Sequence, residues 1–210
     1  MWSPETIDAL KKYNFILGSS SPRRAEILAS NVGVPKFEIV TSTFEEDLSK
    51  ANITDVEYVT QTAQHKLPSI VAQLDPSKNY VLLVADTIVS CEGKILEKPG
   101  TPENQWAMLS HYRTHPSDIR VITAVHVCLV TGGKVTRHEK DHQETALQFD
   151  RTLTDQQLRY YIDTEEGLDV AGGFKYQGKG SMLFEGINGD FFNVVGLPVK
   201  KTHDLLVKLL

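Results

Sequence analysis

The 210 residues carry 22 Lys and Arg against 27 Asp and Glu, a formal net charge of −5, with 40% hydrophobic and 23% charged residues. That is an ordinary soluble globular composition, long enough for one domain with a substantial core. The acidic balance argues against a nucleic-acid polymer as partner, and no apolar run is long enough to span a bilayer.

The N-terminus Met1-Trp2-Ser3-Pro4-Glu5 has no basic-then-apolar secretion signal. The two cysteines, Cys91 and Cys128, make neither a disulfide framework nor a zinc knuckle. A reducing, cytoplasmic setting is expected.

Tyr13, Phe15, Ile16 and Leu17 read as a buried strand. Gly18-Ser19-Ser20-Ser21 follows as a tight turn, and Pro22 opens a helix that carries Arg23 and Arg24 in its first turn. Cations are unfavourable at that end of a helix. Serine hydroxyls, open backbone N–H groups and two guanidinium forks together describe a phosphate cradle. A Ser-Pro helix cap with solvated arginines is the plain alternative.

Phe37–Val40 alternates as a strand, and an acidic connection follows over 41–52. Residues 55–73 carry apolar side chains at helical spacing, and Pro68 inside them predicts a kink or break. Residues 80–85 form a continuous apolar strand, buried on both faces; the pattern resumes at Ile88 after Asp86 and Thr87. A turn is expected at 92–94 and a helix over 102–111. A long β-branched strand spans 120–130, Gly132-Gly133 marks a hairpin, and 135–149 is its antiparallel partner. A helix over 154–162, a Gly-rich stretch of turns and short strands over 167–189, and an amphipathic helix over 198–210 complete the chain. No linker divides it, so one α/β domain over 1–210 with a mixed sheet is expected.

Asp86 follows six apolar residues, where a strand-end carboxylate can hold a divalent cation or activate water. A buried Asp satisfied by its neighbours is the rival reading. A hairpin through Gly93 would bring Lys98 back beside Asp86. Glu46, in the acidic connection, offers a second carboxylate, and Lys66 a further cation, though a solvated surface fits either. Gln177 sits among glycines, where it could read a base edge or orient water. The seven histidines read as scattered, with no HExxH and no paired-ligand spacing, so zinc is not expected. No P-loop, GxGxxG or GxSxG motif is present.

Leu17 through Arg24, Phe44-Glu45-Glu46, Ala85-Asp86-Thr87, Gly93 through Pro99, Asp169 through Gly173, Tyr176-Gln177-Gly178 and Asn193 through Pro198 stand in an order that resembles the Maf family of nucleotide pyrophosphatases. The resemblance implies a single elongated mixed-sheet α/β domain with flanking helices. Its two lobes surround a cleft, as in inosine triphosphate pyrophosphatases. It implies hydrolysis of a nucleoside triphosphate to the monophosphate and pyrophosphate, with a divalent cation (Mg²⁺ or Mn²⁺), in a homodimer.

Family roles fall on Ser19, Arg23, Arg24, Glu46, Lys66, Asp86, Lys98 and Gln177. Asp86 and Glu46 would hold the metal, and Lys98 would act with them in catalysis. Ser19, Arg23, Arg24, Lys66 and Gln177 would bind substrate. The Tyr-Gln-Gly element resembles the branch acting on dTTP and UTP, with modified pyrimidine nucleotides as further substrates. A non-catalytic nucleotide-binding regulator and a purine (ITP/XTP) pyrophosphatase remain the alternatives. The chain departs from the family pattern at Val170, in the longer segment 110–118, and at Thr123-Ala124-Val125.

Overall fold

The computed structural model describes residues 2–45 and 48–210; Glu46, expected to carry a metal-binding carboxylate, lies outside the described residues. In chain order the elements are α1 (Pro4–Leu10), β1 (Asn14–Leu17), α2 (Pro22–Ile27, prolonged by a π-helical turn over Leu28–Val32), β2 (Glu38–Ile39), α3 (Asp55–Val71), β3 (Tyr80–Cys91), β4 (Lys94–Leu96) and α4 (Pro102–Thr114). Then come β5 (Ile119–Thr131), β6 (Lys134–Phe149), α5 (Asp155–Ile162), β7 (Phe184–Asn188), α6 (Phe191–Val195) and α7 (Val199–Leu209).

Among the described residues the strands form one seven-stranded mixed sheet in the order β2-β1-β3-β5-β6-β7, with β4 also on β3. The first three strands in that order run parallel, and the others pair antiparallel. This is the expected mixed α/β arrangement. Local chemistry sets the helix starts: Ser21 caps α2, and Thr54–Glu57 and Thr154–Gln157 form capping boxes on α3 and α5.

Three sequence expectations need correction. Helix α3 is not broken at Pro68: it is continuous from Asp55 to Val71, and Leu67 and Ile70 on either side of Pro68 pack into the core and hold the helix across the one lost backbone hydrogen bond. Strand β3 does not stop before Asp86: it is continuous from Tyr80 to Cys91, because β5 pairs with it along its whole length. Helix α4 extends past His111 to Thr114.

Alternation along β3 and β5 sorts the core. Val81, Leu83, Ala85, Val125 and Val127 pack against α2 and α7. Leu82, Val84 and Cys128 meet Leu67 and Ile70 of α3, and Ile88, Ile122 and Ala124 meet its Tyr58, Val59 and Ala63. Asp86 therefore belongs to the face that α3 covers, and Thr87 to the opposite face. Both cysteines are free and buried; burial pushes the Cys91 thiol up to about 11 and Cys128 to about 12.

His126 lies on the α3 face, fully buried, with Nδ1 2.9 Å from Nε2 of His138. Burial, then the neighbouring His138 and Lys140, lowers its pKa from 6.5 to about 3. The unfolded chain takes up this proton below 6.5, whereas the folded chain does not until about 3. Stability from this group is complete above 6.5 and falls as the pH drops, by about 2 kcal/mol at pH 5. Urea midpoints measured from pH 7.5 to pH 5 should fall, and the slope should flatten in His126→Leu. A slope unchanged in that variant would refute the assignment.

Candidate active site

The edge of β3 is split. Strand β1 pairs with residues 80–83 and ends at Leu17, whereas β4 pairs only with residues 89–91. Between them, among the described residues, no strand lies along residues 84–88. At this gap Gly18 donates its N–H to the Leu83 carbonyl (2.7 Å), and the chain turns away into the serines. A Cβ on Gly18 would lie 2.6 Å from both Ile70 Cδ1 and Val84 Cγ1, so only glycine permits the close turn.

A cavity of about 380 Å³ opens at the gap. Ser19, Arg23, Arg24, Lys66, Asp86, Lys98 and Gln177 all line it. Seven of the eight residues singled out from sequence thus share one pocket, although they come from distant parts of the chain.

The residues differ in setting. Lys66 sits on the stripe of α3 that packs on the sheet, directly over the Asp86 face of β3. Its Nζ lies 2.7 Å from Asp86 Oδ1 and donates to the Ala85 carbonyl at 3.4 Å. Only 6% of Lys66 and 7% of Asp86 is exposed, so this pair is desolvated. Lys98, exposed beyond the end of β4, reaches the same cavity as Asp86, while Lys66 is an ammonium in direct contact with it. The surface reading of Lys66 fails for the same reason.

Arg24 is tied in place from both sides of the gap. Its Nε donates to the Gly196 carbonyl (2.9 Å), and its two terminal nitrogens donate to Ser19 Oγ (3.1 Å) and Thr87 Oγ1 (2.9 Å). Ser19 Oγ also accepts the Ser21 N–H at 3.2 Å, which shapes the serine turn. Arg23 is half-buried and, among the described residues, makes no hydrogen bond or ion pair. Its guanidinium fork is available to a ligand.

Gln177 is exposed in the cavity lining, next to Tyr176, whose ring packs on Phe184 and Phe191. The glycines before it are positioned by α4: Gln105 donates to the Gly173 carbonyl (2.8 Å) and the Tyr112 hydroxyl to that of Gly172 (2.9 Å). Asp169, Thr87, Ser42 and Phe44 also line the cavity and were not singled out as site residues. Asp169 stands in an ordinary run of turns, with no apolar strand to mark it as Asp86 is marked.

The pocket sets buried and exposed cations around Asp86 at the sheet opening, with Asp169 also in its lining. The chain belongs to the Maf family: the profile described as "Maf-like protein" matches residues 14–209.

It is 38% identical over 209 residues to a Schizosaccharomyces pombe protein named dTTP/UTP pyrophosphatase, covering 96% of this chain and 86% of that one. It is 39% identical over 204 residues to a Saccharomyces cerevisiae protein of the same name, covering 91% and 88%. A human protein named probable bifunctional dTTP/UTP pyrophosphatase/methyltransferase protein is 38% identical over 92% of this chain, which spans 32% of that protein. Among solved structures, a HAM1 protein from Coxiella burnetii aligns with a TM-score of 0.45 at 12% identity, over 93% of this chain and 99% of that one.

Proposed function

We propose that this chain hydrolyses nucleoside triphosphates, dTTP and UTP first among them, to the monophosphate and pyrophosphate. The observation that carries the reading is the desolvated Asp86–Lys66 pair in a cavity shared with Arg23, Arg24 and Lys98. Its membership of the Maf family and the names of its relatives support the same reading.

The donor chemistry fits a divalent metal. Asp86 presents a carboxylate within the cavity, and a hard cation such as Mg²⁺ or Mn²⁺ needs only one or two carboxylates, with phosphates and water completing its shell. Asp86, together with Glu46, would hold it; when bound, the ion neutralises charge on the phosphate oxygens. Arg23 and Lys98 bind those oxygens directly. Lys66 orients Asp86, and Arg24 holds the serine turn against Thr87. Asp86 orients the water that attacks the α phosphorus. The bond from that phosphorus to the β-bridging oxygen breaks, and pyrophosphate leaves with the electron pair. Gln177 contacts the base. A homodimer working in the cytoplasm, with modified pyrimidine nucleotides among its substrates, completes the reading.

The test is a panel of canonical and modified pyrimidine triphosphates beside ITP and XTP, run in ¹⁸O-labelled water with products identified by mass. The expected result is pyrophosphate plus a monophosphate carrying the label, fastest with dTTP or UTP. Release of orthophosphate and a diphosphate would overturn the reaction. Preference for ITP or XTP would overturn the substrate assignment.

A further inference from the structure

We propose that Glu92, His111 and His115 form a transition-metal site, matched best to Zn²⁺, that ties the β3–β4 turn to the end of α4. The three residues lie outside the lining of the substrate cavity. His111 lies in the last turn of α4 and His115 is the residue that caps its end, and their rings lie 4.5 Å apart between centroids. Glu92 sits in the tight turn joining β3 to β4, at φ 51°, a backbone region usually left to Asn or Gly. The expectation that the histidines show no paired-ligand spacing is corrected: His111 and His115 stand four residues apart, and a carboxylate from another element joins them.

The distances suit coordination. His111 Nε2 is 3.3 Å from Glu92 Oε2, and His115 Nε2 is 3.2 Å from Glu92 Oε1. One donor atom from each residue falls within 4.8 Å of the others. Ligands held at about 2.0–2.1 Å around a tetrahedral zinc ion stand roughly 3.3 Å apart, and each imidazole lies at about that separation from one oxygen of Glu92.

The outer contacts prepare the ligands. The Thr114 hydroxyl donates to the His111 carbonyl at 2.8 Å, so it can only accept at His115 Nδ1, 2.9 Å away. His115 Nδ1 also faces the His111 carbonyl at 3.2 Å and must carry the proton there. That leaves Nε2 of His115 as the ring nitrogen facing Glu92, the orientation of a metal-ligating histidine whose other nitrogen is held by a carbonyl. His111 Nε2 is shielded from solvent and makes no hydrogen bond, although the carboxylate is nearby. A cation between the three groups satisfies all of them. Two imidazoles and one carboxylate favour zinc over magnesium or calcium, with water as the fourth ligand.

The chain should be stripped of metal and titrated with Zn²⁺ alone, without nucleotide, against a chromophoric competitor. One ion per chain is expected, with affinity falling more than roughly tenfold in Glu92→Gln and in His115→Gln. Cobalt substitution should give the intense visible bands of a four- or five-coordinate site, lost in the same variants.

Zinc should also raise the unfolding temperature of the parent and leave that of the variants unchanged. In the parent alone, zinc should protect both histidines from diethyl pyrocarbonate, read by peptide mass; this arm does not depend on a variant folding. Parental zinc affinity in a His111→Gln/His115→Gln double variant, or unprotected histidines at saturating zinc, would overturn the site. Neither outcome bears on the pyrophosphatase reading, whose test measures nucleotide products.

Discussion

Asp86→Asn is expected to lower hydrolysis of dTTP or UTP by at least roughly a hundredfold while leaving the fold intact, since one preorganised electrostatic group is typically worth ~3 kcal/mol. The amide keeps the size of the carboxylate and an oxygen that Lys66 Nζ, now at 2.7 Å, can still approach. It removes the negative charge that would hold a cation and orient water. Because Asp86 is embedded mid-strand with β5 paired alongside, the backbone has little freedom to bring another acid into its place. The measurement is kcat beside a thermal unfolding curve. A parental kcat in a folded Asp86→Asn protein would remove Asp86 from the mechanism.

Lys66→Met is expected to cost about 3–5 kcal/mol of stability, the range for breaking a buried ion pair by deleting one partner. Methionine matches the lysine stem and fits the apolar stripe of α3, so packing is largely kept. The loss would come from a carboxylate only 7% exposed that no longer has an ammonium at 2.7 Å. Denaturant unfolding at pH 7 measures it. The double variant Lys66→Met/Asp86→Asn should regain much of the loss, because the stranded charge is gone. A Lys66→Met protein as stable as the parent would mean that the pair contributes nothing net.

Much of this architecture was legible in the residues, for stated reasons. Strand 80–85 is an unbroken apolar run and 120–130 a β-branched one because both faces are covered, and Gly132-Gly133 marked the hairpin partner of the second. Ser21-Pro22 announced α2 through its cap. The elements that escaped reading are those whose cues are weak. Helix α1 buries no residue, so no apolar stripe marks it, although Ser3 and Pro4 cap it well. Helix α6 has only five residues.

The site was legible as a set and less so in its pairings. Composition and turn chemistry could nominate Asp86, Arg24 and Lys98, but not decide which lysine meets the aspartate. That depends on α3 crossing the sheet with Lys66 inward. The sheet register also decides that Asp86 is mid-strand, since only the full-length pairing with β5 carries β3 past the polar residues. The zinc ligands were missed because Glu92 is far from the histidines in sequence and joins them only through the turn.

The mixed direction of the sheet also bears on the order in which the molecule assembles. Strands β5 and β6 meet through a two-residue turn and can zip together early, whereas Ile16 must find Leu82 across most of the N-terminal half. The serine turn and its arginines ride on that late-closing strand. Asp86 rides on the antiparallel part and the arginines on the parallel edge, so the cavity is complete only once β1 has docked, and a nucleotide that bridges the two would favour the docked state.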